Sequence, residues 1–318
     1  MEDTPQAADW DRYWKGTWDA AAHEDGSPQD KALSSFWQDF FASIKPAEHA
    51  RLIDIAAGNG AVARYARPAL PDSGEYLALD YSHSALLNLA QRYPDVLNVA
   101  ADASQPPCTA GSFDILISQY GIEYAGPRAI IEAGKLLRPG GHMALVLHLR
   151  DGVIYTECAA NLRALLAVQQ LRLPTLAREA FCAGYGLNAG RGSVQAFKAA
   201  EAAFTPAVRG LEMVMKEEGA QIAGGLPRQL YQDIATMYRR MSAYEESDVM
   251  KWLDGMEPEL EAYIGRMQSM LNAALDETAL KRHCEELHSQ GFDDIRTDRL
   301  LIGEGAGPAA WTLIAGRS

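Results

Sequence analysis

The sequence predicts a doubly wound α/β fold: a mostly parallel sheet of seven strands, with a large helical cap inserted after the fifth. Three observations predict it. From Arg51 to Leu147, short apolar runs alternate with helical stretches, the pattern of crossover units in a parallel sheet. A glycine-bearing loop sits between the first of these runs and the first helix. After Leu149 the apolar period becomes helical for about 125 residues before two further strand-like runs close the chain.

The elements follow in order. Residues 1–45 read as an N-terminal aromatic arm or lid rather than core, carrying Trp10, Tyr13, Trp14 and Trp18, with a helix over Asp30 to Ile44 that stops near Pro46. Residues 46–153 read as strand Arg51 to Ile55, a helix from about Ala61, strand Glu75 to Leu79, helix Ser82 to Arg92 and strand Leu97 to Ala100. Strand Phe113 to Ser118, helix Arg128 to Leu137, the turn Arg138-Pro139-Gly140-Gly141 and strand His142 to Leu147 complete that stretch. Residues 154–275 form the helical cap, with breaks expected at Ala183 to Gly192, Pro206, Gly224 to Pro227 and Gly255. Residues 276–318 return to the sheet through a helix from Thr278 to Ser289, stopped by Gly291, and strands Ile295 to Ile302 and Ala310 to Ala315.

Composition narrows the partners. Against 29 Lys and Arg stand 42 Asp and Glu, a formal charge of −13, which disfavours binding to a nucleic-acid backbone. Four cysteines, far apart and without ligand-spaced histidines, read as reduced thiols and give no metal site. The N-terminal residues lack the signature of a leader, and no apolar run approaches a membrane span, so a cytoplasmic protein is expected. A small-molecule substrate is the expected partner, and a homodimer is compatible with that reading.

The loop Asp54-Ile55-Ala56-Ala57-Gly58-Asn59-Gly60 has the composition that lets a backbone turn tightly against a nucleotide-like ligand. Its spacing, Gly58-x-Gly60-x-x-Ala63 with Asp80 further on, also fits a dinucleotide fingerprint, so an NAD(P)-dependent oxidoreductase is one alternative. A non-catalytic cofactor-binding protein is another. Asp54 inside the first strand, Asp102 after the third and Leu137-Arg138-Pro139-Gly140-Gly141 before the fifth favour a different ligand. Buried carboxylates are costly unless paired, and a donor with a positive amino group and a sulfonium would pair with Asp54.

Together Asp54 to Gly60, Asp80, Asp102, Phe113-Asp114 and Leu137 to Gly141 resemble the class I, Rossmann-like S-adenosylmethionine-dependent methyltransferases. Ala56, where that family usually has glycine, resembles the variant of the ubiquinone and menaquinone C-methyltransferases. The resemblance implies that Asp54, Ala56, Gly58 and Gly60 line the methionine end of the cofactor and that Asp80 takes the ribose hydroxyls. It places Tyr81 on adenine, and Asp102 with Ala103 at its amino edge. Asp80 also reads as an N-cap of the following helix.

Ligands of open α/β sheets lie beyond the carboxyl ends of the strands, which brings in Ser118 to Tyr124. Gln119 is expected to touch the cofactor and Tyr120 or Glu123 the acceptor, with packing of Tyr120 and Tyr124 as the alternative. His148, at the end of the fifth strand, is the candidate general base should the acceptor have to lose a proton. Tyr13 and Trp14 are the arm residues expected to meet cofactor or substrate. Eight of the ten methionines fall between Met213 and Met270, and Tyr231, Ile234, Tyr238 and Met241 make one helical stripe, suited to core or to the wall of an apolar pocket. The reading is methyl transfer to a small, largely apolar or aromatic molecule.

Overall fold

The computed structural model describes Trp14, residues 27–303 and residues 307–318. The chain divides into two compact units, one of residues 1–156 with 269–318 and one of residues 157–268.

The first unit begins with helix α1, Pro28–Ile44. Ser27 caps it by accepting from the Asp30 amide at 3.1 Å, and Pro28 occupies the first turn, where its missing N–H costs nothing. Leu33, Trp37, Phe40 and Phe41 fall on one stripe and are buried against the sheet's core. The expected lid is therefore core over these residues: four large apolar side chains at helical spacing bury more area than a solvated arm tolerates.

Strands β1 (Arg51–Ile55), β2 (Glu75–Asp80), β3 (Leu97–Ala100), β4 (Phe113–Gln119), β5 (Leu137–His148), β6 (Phe292–Leu301) and β7 (Pro308–Arg317) form one mixed sheet in the order β3-β2-β1-β4-β5-β7-β6. β1 to β5 pair in parallel. β7 is antiparallel to both β5 and β6, so it alone is reversed. Helices α2 (Ala63–Ala69), α3 (His83–Arg92) and α4 (Ala129–Gly134) make the crossovers, and α10 (Glu277–Ser289) precedes β6. β1 leads outward to β2 on one side while β4 continues on the other. The chain thus reverses direction between β1 and β4, the place where a crevice opens at the strand ends.

Two local expectations are corrected. The fourth helix ends at Gly134, and Leu137 already pairs with Phe113. Arg138 to Gly141 are then a bulge inside β5, since the next pair is Ile115 with His142. Gly140 takes a φ of 81° there, and an ion pair joins Arg138 to Asp114.

The second unit is helical: α5 (Val153–Gln170) leads into it, followed by α6 (Leu173–Asn188), α7 (Val194–Glu218), α8 (Leu226–Arg239) and α9 (Glu246–Ala273), which leads out. Gly224 and Gly225 break it as expected, at φ 63° and 81°. Pro206 and Gly255 do not break it, for they lie inside α7 and α9. Phe204, Ala207 and Leu211 bury the face of α7 that carries the helix past its proline. The expected break over Ala183 to Gly192 shrinks to the turn after Asn188, because Gly184 is a contact point: a Cβ there would stand 2.6 Å from Met241 Sδ. Tyr231, Ile234, Tyr238 and Met241 all pack in this unit's core, and the first three also line a cleft of about 370 Å³ between α7 and α8.

Candidate functional site

The candidate site is built from the ends of β1, β2 and β4. Asp54 is 1% exposed, on a strand whose other inward residues are aliphatic. Its Oδ2 accepts from the Tyr76 hydroxyl at 2.7 Å, while Oδ1 is buried with no hydrogen-bond partner among the described residues. Burial pushes its carboxyl up to about 7, partly opposed by the Tyr76 hydrogen bond and reinforced by the charge of Asp80. A buried carboxylate with one orphaned oxygen is a seat for a cation.

The loop that follows turns on positive φ angles: Ala56 at 55°, Gly58 at 56° and Gly60 at 88°. Asp80, at the end of β2, ties the loop down by accepting from the Gly58 amide at 2.8 Å and the Ser82 amide at 2.7 Å. Burial raises its carboxyl, against the downward pull of the amides of Ser82, Gly58 and Tyr81. The N-cap of α3 is Ser82, whose hydroxyl accepts from the Ala85 amide, so Asp80 does not cap that helix. Tyr81 follows at half-burial, Asp102 is exposed beyond β3 and accepts from the Ser104 amide, and Ala103 is buried.

Ala56 is accommodated by a partner that the sequence did not reveal. A Cβ on Gly121 would stand 2.5 Å from Ala56 Cβ and 2.9 Å from its carbonyl oxygen, so glycine at 121 makes room for alanine at 56. Gly121→Ala is expected to cost about 1–3 kcal/mol by overpacking, and Ala56→Gly to recover part of that loss in the double variant. Denaturant unfolding of the four proteins checks this; strictly additive effects would refute the pairing.

At the end of β4, Gln119 Oε1 accepts from Trp37 Nε1 at 2.7 Å, a hydrogen bond spanning 82 residues. Tyr120 has φ 53°, and its amide donates to Val146 of β5 at 2.8 Å. Burial raises the Tyr120 hydroxyl well above its ordinary value. His148 lies 4.7 Å from the Tyr120 ring and 5.6 Å from the Tyr124 ring, centre to centre. Its imidazole Nδ1 stands 2.7 Å from Glu123 Oε1, and its backbone amide donates to the same oxygen at 2.9 Å. The spacing of Glu123 from His148 carried no signal of this pair, because the sheet register alone joins them.

Of the expected arm contacts, Trp14 lies against the loop: a Cβ on Gly58 would be 3.0 Å from its ring, and Asn88 Nδ2 donates to its carbonyl at 3.0 Å. Tyr13 lies outside the described residues.

Residues 53–145 match the family model described as a methyltransferase domain. The demethylmenaquinone methyltransferase of Beutenbergia cavernae is 31% identical over 98 residues, covering 30% of this chain and 39% of the relative. The ubiquinone/menaquinone biosynthesis C-methyltransferase UbiE of Dinoroseobacter shibae is 30% identical over 123 residues, 36% of this chain and 49% of the relative. The chain thus spans half or less of the length of these two curated relatives. An S-adenosylmethionine dependent methyltransferase from Mesorhizobium loti superimposes with a TM-score of 0.31 at 22% identity, over 35% of this chain and 53% of that one. The matched stretch runs from β1 into β5 and so includes the loop after β1, the end of β2 and the end of β4.

Proposed function

We propose that the chain, whose residues 53–145 form a methyltransferase domain, transfers a methyl group from S-adenosylmethionine to a small, largely apolar or aromatic molecule. The observation that carries the reading is the orphaned oxygen of Asp54, buried beside a loop of left-handed residues that Asp80 ties down. A positive amino group placed there satisfies Oδ1 and restores the ionised carboxylate.

In this reading Asp54, Ala56, Gly58 and Gly60 hold the methionine end and Asp80 the ribose. Tyr81 packs on adenine, Asp102 and Ala103 meet its amino edge, and Gln119 borders the cofactor, with Tyr13 and Trp14 of the arm shielding it. When bound, the cofactor supplies an electrophilic methyl carbon. The chain's own residues orient the acceptor and keep water away, and positioning supplies much of the rate of an in-line displacement. Tyr120, Tyr124 and the His148 ring form an aromatic surface suited to a flat apolar acceptor. The charge of −13 disfavours a polyanionic one.

Calorimetry tests the donor. The intact chain is expected to bind S-adenosylhomocysteine saturably and NADH not at all; the reverse result returns the oxidoreductase. Asp80→Ala is expected to weaken S-adenosylhomocysteine binding by about 1–3 kcal/mol, the loss of hydrogen bonds to a charged group. Unlike a peripheral ribose contact, Asp80 also serves the Gly58 and Ser82 amides, so the ligand-free melting temperature falls as well. Helix α3 keeps its Ser82 cap, and circular dichroism should show its helix content retained.

A further inference from the structure

We propose that the helical unit carries a second small-molecule site of its own, in the cleft between α7 and α8, and that its ligand is an apolar, aromatic compound bearing a single carboxylate. The cleft shares no residue with the candidate site at the ends of β1, β2 and β4, so the proposal goes beyond the methyltransferase reading and does not rest on it.

The cleft follows from the residue pattern of two helices. On α7, Glu201, Phe204, Thr205, Val208 and Glu212 recur at helical spacing, and on α8 Tyr231, Ile234, Ala235 and Tyr238 do the same, so each helix turns one face to the other. Two such faces ordinarily close, because helices pack ridge into groove and interiors leave few voids larger than a water. Here about 370 Å³ stays open between them, the size of a small-ligand pocket. Its floor is core: Leu173, Phe204, Leu211 and Ile234 are all buried. The Tyr238 ring is held among Phe181, Phe197 and Phe204, at 5.5, 6.3 and 6.2 Å between centres. An apolar floor already fixed by its own packing takes up aromatic surface without first having to be ordered.

The charged groups decide the ligand's polar end. Glu201, Glu212, Arg209 and Arg239 all line the cleft. The carboxylates are answered from within it. The Tyr238 hydroxyl donates to Glu201 Oε1 at 2.7 Å, and burial together with Glu201 raises that hydroxyl, so it keeps its proton. Glu212 lies beside the Tyr231 hydroxyl and holds it above its ordinary value as well. The guanidinium groups are not answered. Arg163, Arg178 and Arg191 of the same unit each pair with a carboxylate, whereas Arg209 on α7 and Arg239 on α8, both exposed, have no ion-pair partner among the described residues. A guanidinium takes a carboxylate in a planar, two-bonded pair. An aromatic body on the floor with its carboxylate at the arginines satisfies both halves of the cleft. The two glutamates set the limit at one negative charge, and the two free arginines repel a cation.

Calorimetry of the intact chain with three probes of one shape tests this. 2-Naphthoate is expected to bind saturably at one site, with the same affinity when S-adenosylhomocysteine is present in excess. The uncharged 2-naphthylmethanol is expected to bind at least about tenfold more weakly, and the cationic 2-naphthylmethylamine not at all. Arg209→Gln and Arg239→Gln are each expected to weaken 2-naphthoate about tenfold. Arg240→Gln, next along the chain but outside the cleft, is expected to leave it as in the wild type. All three substitutions lie at exposed positions, and an unchanged melting temperature without ligand separates lost binding from lost fold. No saturable binding of 2-naphthoate, equal or tighter binding of the alcohol or the amine, or competition with S-adenosylhomocysteine overturns the proposal. So does an affinity indifferent to both cleft arginines, or weakened as much by Arg240→Gln, which would mean general attraction to positive charge.

Discussion

Asp54→Asn is expected to stabilise the ligand-free protein at pH 8 by about 2–4 kcal/mol and to cost it the methyl donor. In the folded chain the Asp54 carboxyl is raised from 3.8 to about 7, which corresponds to about 4 kcal/mol of discrimination against its charged form. Below pH 3.8 both folded and unfolded chains carry the proton, and the residue costs nothing. As pH rises from about 4 to about 7 the unfolded chain releases the proton while the folded chain keeps it, so stability falls across that window and levels off above it. Asparagine has no such slope, and the smaller figure in the range allows for burying an amide whose nitrogen finds no acceptor beside Tyr76. Denaturant unfolding at pH 4 and pH 8 checks the sign: the advantage of the variant must grow with pH. An equal difference at both pH values would mean that Asp54 does not titrate with folding. Calorimetry on the same variant should show S-adenosylhomocysteine affinity reduced at least tenfold, because the cation seat has lost its charge.

Trp37→Ala is expected to lower stability by about 3–5 kcal/mol, a large part of the 5–15 kcal/mol typical of a folded domain. Trp37 is fully buried at the centre of the α1 stripe, with its ring against Phe36, Phe40 and Phe41. It is also the donor that holds Gln119 at the end of β4. Trp37→Phe keeps most of the packing and loses only that hydrogen bond, a difference of about 1 kcal/mol. If S-adenosylhomocysteine affinity falls in Trp37→Phe while the melt barely moves, Gln119 owes its position to Trp37. A Trp37→Ala protein that melts like the wild type would return α1 to the status of an arm.

The strand–helix alternation, the loop from Asp54 to Gly60, Asp80 and the two closing strands were legible in the sequence because each is local. Period-2 and period-3.6 patterns, glycines at tight turns and a carboxylate at a strand end are decided within a few residues. The same local logic misread α1, whose aromatics suit a lid as well as a core stripe, and it placed breaks at Pro206 and Gly255 where buried faces hold the helices together. It also left Asp80 open as a helix cap, a place that the hydroxyl of Ser82 takes by accepting from the Ala85 amide.

Three pairings were decided by the tertiary structure alone: Gly121 with Ala56, Trp37 with Gln119, and Glu123 with His148. Each joins residues 25 or more positions apart, and no periodicity along the chain encodes them. Two arise because β4 lies between β1 and β5 in register, so its end carries Gly121 to the loop after β1 on one side and Glu123 to the end of β5 on the other, while the buried stripe of α1 brings Trp37 to Gln119. The sequence by itself determined which chemical groups the crevice holds. Strand register and the packing of α1 on the sheet determined which of them touch, because neighbours across a sheet are set by strand pairing and helix docking and not by sequence distance.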